Sequence, residues 1–359
     1  MSLELSDEQR ALLIEAYRER LQLMPTSTYP LPPTLQTLRL LTERHLLHIP
    51  FENLSLHTAP VKSEESIATA PEPAVVLSLD SLMDKLLYRQ RGGCCLELNG
   101  LFRMLLDALG FPSTRLVPCW VYAGPERGHG GKKFKFRTVP SHFMILVEIP
   151  QDSSYLVDVG LGEPPLEPLE YATASINQVQ KTCEGMTSRI VWDPRGTWTD
   201  GKGLQRTCLL LEWLRGTTWV PRLQWDVHNA PLTLKPPSPT DNIALTRLDN
   251  CGPTLESFRY VIGILTSDKS SFARKAIVCR LTRDEKITLS GRTLKVTSPR
   301  FTGCTGTDTH ELHQTCTQLD TNREVANVLQ ERFGITLDTQ ELNLVTSDEF
   351  SNTPLWDHL

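Results

Sequence analysis

The sequence predicts an α+β protein in which helices come first, strands follow, and the last third mixes the two. Three observations carry this. Apolar residues repeat at helical spacing as far as Leu109, the period shifts towards two from Arg115, and strand and helix patterns alternate again after a stretch rich in Pro, Thr, Asp and Asn from Asn229 to Pro253.

Ser6 can N-cap a first helix with Gln9 three residues later, and Leu12, Leu13, Ala16, Tyr17 and Leu21 follow at helical spacing. The prolines from Pro25 to Pro33 break it. A second helix starts at Thr34, carries Leu35, Leu38, Leu41 and Leu46, and ends before Pro50. Pro71-Glu72-Pro73 reads as loop. The clearest helix follows Gly92 and Gly93: Leu98, Leu101, Phe102, Leu105, Leu106 and Leu109 form one apolar stripe, and Gly110-Phe111-Pro112 stops it. Strands are predicted at Arg115 to Tyr122, His142 to Ile149, Tyr155 to Val159, Ser188 to Trp192 and Thr207 to Leu214, short enough for a barrel or small sandwich. The stretch from Asn229 to Pro253 reads as a linker or insertion. Beyond it come an amphipathic segment (Leu255 to Leu265), two strands (Lys275 to Leu281 and Lys286 to Thr297) and a helix from Asn322 to Phe333 closed by Gly334.

The chain has 359 residues, enough for two or three domains. Hydrophobic residues make up 40% and charged residues 22%, the balance of a folded globular protein. A net charge of −5 supplies no basic field for a nucleic acid or an anionic membrane, so neither partner is expected. The acidic start, Met1 to Glu8, lacks the basic and apolar regions of a signal peptide, and no apolar run is long enough to cross a bilayer. A cytoplasmic location is the expectation. Nine cysteines without CxxC spacing argue against a disulfide framework and against a structural metal.

Cys95 opens the helix that follows the two glycines, so free backbone N–H groups and the positive end of the helix dipole lie beside its sulfur. That setting favours a thiolate, and the paired glycines would let the chain turn sharply and bring a substrate carbonyl close to backbone donors. Cys94 is expected to pack rather than react. A nucleophilic thiol needs a base, and the base an orienting acceptor. His142 begins a strand, and the turn from Pro150 to Ser154 leads back to Asp158, a carboxylate set among Leu156, Val157 and Val159 that requires a cation. Antiparallel pairing could bring the two together, although one residue of slip would send them to opposite faces, and the sequence leaves that register open.

The stretch from Arg91 to Asn99, Arg-Gly-Gly-Cys-Cys-Leu-Glu-Leu-Asn, resembles the active-site motif RGG-x-C-x-(E/Q)-x-N of the arylamine N-acetyltransferase family. Ile49-Pro50-Phe51-Glu52-Asn53-Leu54, with His57 after it, is similar to the IPFENL element of that family. Ser141-His142 and the run from Val157 to Gly162 resemble its second and third catalytic segments, and the runs 266–272 and 328–335 resemble segments near its C-terminal domain. The resemblance covers nearly the whole chain in the right order.

It implies three domains with a cysteine-protease-like catalytic core: a helical bundle carrying the nucleophilic cysteine over 1–111, a β-barrel carrying His142 and Asp158 over 112–245, and an interdomain segment with an α/β lid over 246–359. It also implies a ping-pong cycle. Cys95 takes the acyl group of acetyl-CoA or another acyl-CoA as a thioester, and an arylamine, arylhydroxylamine or hydrazine then attacks it. His142 would be base and proton shuttle, Asp158 would hold the imidazole, and no metal is implied. Thr138, Val139, Ser270 and Ser271 stand where the family touches coenzyme A, and Phe51, Cys94 and Leu161 are expected to border the acceptor pocket. Arg91 and Glu52 are read as an ion pair bracing the active-site helix, and Glu97 and Asn99 as stabilising residues. The loop 127–133 is read as solvated, with contact to coenzyme A phosphates as the alternative.

Leu161 stands where many relatives have phenylalanine, and Cys94 where an aromatic or aliphatic residue is common, which removes a stacking face for an aryl ring. Glu163-Pro164-Pro165 and the 229–253 stretch are atypical of shorter members, and the chain resembles the fungal type, which includes enzymes that prefer malonyl-CoA. Malonyl or propionyl transfer is therefore the second reading. A papain- or transglutaminase-like hydrolase is the third, disfavoured by a lid that excludes water from a thioester. A silent binding protein is a fourth, which the presence of all three triad residues weakens.

Overall fold

The computed structural model describes residues 5–25, 29–58, 75–125, 134–182, 185–199, 203, 205–228, 255–265, 274–298 and 313–346. The N-terminal third holds α1 (Asp7–Arg20), α2 (Leu35–His48), the short strand β1 (Phe51–Glu52), α3 (Ser55–Thr58), α4 (Leu79–Met83), which continues as a π-turn to Tyr88, and α5 (Cys95–Ala108). The Ser6 hydroxyl accepts from the Gln9 backbone and the Gln9 side chain answers, closing the capping box that starts α1. Thr34 caps α2 by accepting from the Thr37 N–H. Leu98, Leu101, Phe102, Leu105 and Leu106 are buried along α5, which packs on α1 and on the sheet behind it.

Nine strands follow: β2 (Ser113–Pro125), β3 (Phe134–Phe136), β4 (His142–Glu148), β5 (Ser154–Val157), β6 (Leu169–Glu170), β7 (Val179–Lys181), β8 (Thr187–Thr199), β9 (Gln205–Arg215) and β10 (Thr218–Asp226). They form one sheet ordered β6-β5-β4-β2-β10-β9-β8-β7, with β3 on β2. The two end strands come together through Gln180. Its side-chain oxygen accepts from the Glu170 N–H at 2.8 Å and its amide donates to the Glu170 carbonyl at 3.0 Å, so the sheet curls into a nearly closed barrel. Alternation along β4 divides its side chains between two cores: Phe143, Ile145 and Val147 pack towards the helices, while Met144 and Leu146 join Trp213, Trp225 and Tyr171 inside the barrel.

The C-terminal part contains α6 (Arg259–Leu265), β11 (Ile277–Leu281), β12 (Lys286–Ser290), β13 (Thr293–Ser298), β14 (His313–Gln318), α7 (Asn322–Val328), extended by a π-turn to Phe333, and α8 (Thr339–Val345). Its sheet runs β1-β11-β12-β13-β14, so a strand from the helical segment forms one edge. The protein thus has three parts: helices, barrel, and an α/β unit.

Two expectations change. The single strand predicted from Lys286 to Thr297 is a hairpin that turns at Gly291, whose φ of 55° is open to glycine at little cost. β10 was not anticipated because Pro221 interrupts its pattern; the proline is tolerated where the register with β9 shifts. Gly334 ends its helix in the left-handed conformation, as predicted. The 229–253 stretch and the 127–133 loop lie outside the described residues. Among the described residues, no helix is long and apolar enough to cross a membrane.

Candidate active site

Cys95 is the first residue of α5, and what holds that helix start in place is a set of buried charges. Glu97 accepts from the Cys94 N–H at 2.8 Å and pairs with Lys85 at 2.9 Å, so the first turn is capped by a carboxylate that is itself neutralised. One layer further in, Arg91 pairs with Glu52 at 3.0 Å, both buried, and Glu52 also accepts from the Leu54 N–H at 2.6 Å. The β1 segment is thereby tied to the chain leading into α5, a tie completed where the Glu52 N–H donates to the Gly93 carbonyl at 2.9 Å.

The glycines answer a steric need that local pattern does not show. Neither Gly92 nor Gly93 has positive φ. A Cβ on Gly92 would lie 2.2 Å from the Pro50 carbonyl oxygen, and one on Gly93 would lie 3.0 Å from the Glu97 Cβ. Gly92 gives room to the Pro50 carbonyl and the Glu52 side chain, and Gly93 to the side chains of Glu97 and Leu86.

His142 and Asp158 meet across the barrel edge. Ile145 pairs with Val157, so continuing that register sets Asp158 opposite Met144, with His142 two residues along on the same face. The His142 Nε2 lies 2.7 Å from Asp158 Oδ2. The other carboxylate oxygen accepts from the Asn99 side chain at 3.0 Å and from the Gly160 N–H at 2.8 Å. Asn99 also donates to the Phe143 carbonyl and accepts from the Val159 N–H, both at 2.8 Å. One amide on α5 therefore clamps the start of β4 and the loop after β5. Sequence reading assigned Asn99 a generic stabilising role; its place one helical turn beyond Cys95 was the available signal. Gly160 was missed as well. A Cβ there would fall 2.7 Å from the Cys95 Cα and 2.9 Å from the Asn99 amide nitrogen.

Cys95 is half-buried, its sulfur 3.9 Å from the Ser141 carbonyl. Its pKa is lowered to about 5, first by a hydrogen bond from the Cys94 thiol and then, against the cost of burial, by His142. Burial works against charge on His142, but the Asp158 carboxylate and the thiol beside it raise its pKa to about 10. Both shifts favour a thiolate paired with an imidazolium. Cys94 is buried, and its own pKa is raised well above the ordinary value because its proton is held on Cys95. With Nε2 taken by Asp158, Nδ1 is the imidazole nitrogen left for the sulfur.

Phe51 is buried and lines a small cleft with Val159, Gly162 and Cys279. Leu161 is half-buried against the barrel core. Thr138 is exposed and Val139 half-buried, in the segment that leads from β3 into His142. Ser270 and Ser271 lie outside the described residues. Among the described residues, no cluster of side chains could hold a metal ion.

A helix that delivers a thiol to a barrel bearing an imidazole and a carboxylate is a cysteine-protease-like architecture, here closed by an α/β unit. Comparison with known proteins narrows that class. A family profile described as N-acetyltransferase matches residues 34–342. Arylamine N-acetyltransferase 1 of Rattus norvegicus is 28% identical over 90% of this chain and 94% of its own length. The arylamine N-acetyltransferase / N-hydroxyarylamine O-acetyltransferase of Salmonella typhimurium is 32% identical over 42% of this chain and 43% of its own. Among solved structures, the arylamine N-acetyltransferase from Mycobacterium abscessus superposes with a TM-score of 0.67 at 23% identity, covering 97% of this chain and 98% of that one. The Mycobacterium marinum enzyme in complex with CoA superposes with a TM-score of 0.60 at 23% identity, covering 93% and 98%. The chain belongs to the arylamine N-acetyltransferase family, a family of acyltransferases.

Proposed function

We propose that Cys95, His142 and Asp158 transfer an acyl group from a coenzyme A thioester to an arylamine, arylhydroxylamine or hydrazine through a thioester on Cys95. The observation that supports it most is the continuous chain of contacts from the α5 N-terminus to a buried carboxylate: a thiol with its pKa near 5, an imidazole with its pKa near 10, and a 2.7 Å bond from that imidazole to Asp158. The thiolate attacks the acyl carbonyl, and the backbone N–H of Cys95 is the natural donor to the oxyanion. Coenzyme A leaves as its thiol, taking the imidazolium proton. The amine then attacks the Cys95 thioester, and His142 accepts the amine proton as the Cys95 thiolate departs. In this reading Thr138 and Val139, next to His142 in sequence, meet coenzyme A, and Phe51, Cys94 and Leu161 border the amine. Acetyl is the first-choice acyl group, with malonyl or propionyl as the second reading.

Intact-mass spectrometry tests this. Acetyl-CoA or malonyl-CoA without amine should add one acyl group, Cys95→Ala should abolish the addition, and Cys94→Ala should not. Labelling on Cys94, or on neither, refutes the assignment. A second measurement reads the ion pair. Iodoacetamide should alkylate Cys95 at pH 6 within about threefold of its rate at pH 8, whereas an ordinary thiol slows on the order of fifty- to a hundredfold over that range.

A further inference from the structure

Arg222 is a buried cation that forms no ion pair among the described residues. It is 7% exposed and makes no hydrogen bond among them, and its Nε is fully enclosed without an acceptor. The guanidinium lies over the Trp213 ring, 4.2 Å from the centroid, and the indole N–H of Trp213 is likewise buried and unpartnered. The acid that acts on it electrostatically is Glu163, whose carboxylate is already shared by Arg215 at 2.9 Å and Lys286 at 2.8 Å. Leaving a buried charge uncompensated costs several kcal/mol, so a fold retains one where something else supplies the partner.

The place is as telling as the charge. The register between β9 and β10 shifts at Pro221/Leu223, and such a bulge re-aims the extra residue, here Arg222 onto a ring of the barrel core. Along β2, Cys119 pairs with His142 and Val121 with Leu223, so Arg222 sits at the rim where β4 begins. Strand rise and spacing set the His142 and Arg222 backbones roughly 14 Å apart. The loop after Asp158 reaches the same rim: Leu161 packs on the core that holds Trp213, and Glu163 follows. One extended small molecule could therefore reach both Cys95 and Arg222.

We infer that Arg222, stacked on Trp213 at the rim of the barrel nearest His142, receives a carboxylate carried by one of the two substrates of the reaction. The inference rests on the acyl-transfer reading for its setting. A planar guanidinium matches a carboxylate in fork geometry, and one uncompensated positive charge matches a monoanion. A dianionic phosphate would leave a net negative charge beside Glu163. The carboxylate has two sources, a dicarboxylic acyl group such as malonyl or an acceptor such as an aminobenzoate.

Steady-state kinetics on the full chain and on Arg222→Met separates them. The donor arm compares malonyl-CoA with acetyl-CoA, using 4-methylaniline as acceptor; the acceptor arm compares 4-aminobenzoate with 4-methylaniline, using acetyl-CoA. The substitution should lower the acid-to-neutral ratio of kcat/KM by about tenfold or more in one arm, which names the substrate that carries the carboxylate. Unchanged ratios in both arms, including an equal loss in all four reactions, overturn the inference. Removing an unpaired buried charge should leave the melting temperature at or above that of the wild type. If the methionine variant nevertheless unfolds, Arg222→Lys, which keeps the charge and loses the fork, is read in the same two ratios. Malonate and benzoate should raise the melting temperature of the resting wild-type protein more than that of the variant. That shift without any acylation of Cys95 refutes acyl transfer and leaves the carboxylate subsite standing; its absence for both anions, alongside normal acylation, overturns the subsite alone.

Discussion

His45 and His142 are both buried, 0% and 2% exposed, yet their pKa values move in opposite directions. In the helical core, His45 lies edge-on to Phe102 and 3.4 Å from the Tyr17 hydroxyl, and burial, aided by Arg20, lowers its pKa to about 3. At the barrel edge, the Asp158 carboxylate overcomes the same burial penalty and carries His142 to about 10. Burial alone removes a proton; burial with a fixed carboxylate keeps one. On the proposed mechanism, that difference separates a packing histidine from one that works as an acid and base.

The comparison breaks most sharply at its carboxylate. Asp158→Asn should return His142 towards the state of His45 and lower kcat/KM for acetyl transfer by about a thousandfold or more. A loss below tenfold would show that Asp158 does not hold the imidazole. Gly160→Ala leaves every charge in place but drives a Cβ to within 2.7 Å of the Cys95 Cα, so the loop carrying Asp158 must retreat from α5. About a hundredfold loss is expected from that displacement, and near-wild-type turnover would mean that the contact relaxes without moving the triad.

His45 offers the opposite test, on stability rather than rate. Its folded-state pKa of about 3 lies below the unfolded value of about 6.5, so the unfolded chain binds the proton first and stability falls as pH drops from 6.5 towards 3. Urea unfolding should show wild type losing about 2 kcal/mol more than His45→Leu between pH 7 and pH 5. Parallel losses would assign the acid sensitivity elsewhere. The smallest effect concerns Cys94, whose thiol is the largest influence holding the Cys95 pKa down. Thiolate is present above that pKa and lost as pH falls through it, so Cys94→Ala should move the acid limb of Cys95 alkylation upward and slow labelling at pH 5 by about three- to tenfold. An unmoved limb would leave His142 and the helix N-terminus to account for the low pKa.

Much of this was legible in local patterns. The Ser6 and Gln9 box, the α5 stripe and the Gly334 stop are short-range features, and each element lies where its spacing put it. The Gly92 and Gly93 pair was visible, but its reason was not. Steric need for a glycine arises from a neighbour 42 residues away at Pro50 as readily as from its own φ, and no local pattern distinguishes the two. β1 was hidden for a similar reason: Phe51 and Glu52 pair with Cys279 and Val278, more than 200 residues later. Arg222 looked like any strand arginine until a bulge turned it onto Trp213.

The sequence by itself determined the order of helices, strands and α/β unit, and singled out the three residues proposed to bear acyl-transfer chemistry, because periodicity and side-chain type are properties of the chain. Only the tertiary structure decided the register that sets Asp158 on the same face as His142, the Asn99 clamp that holds both to α5, and the direction in which the pKa of each buried histidine moves. Those depend on which groups meet after folding, and through them on the local dielectric and the distance between charges, quantities that exist only once distant segments pack.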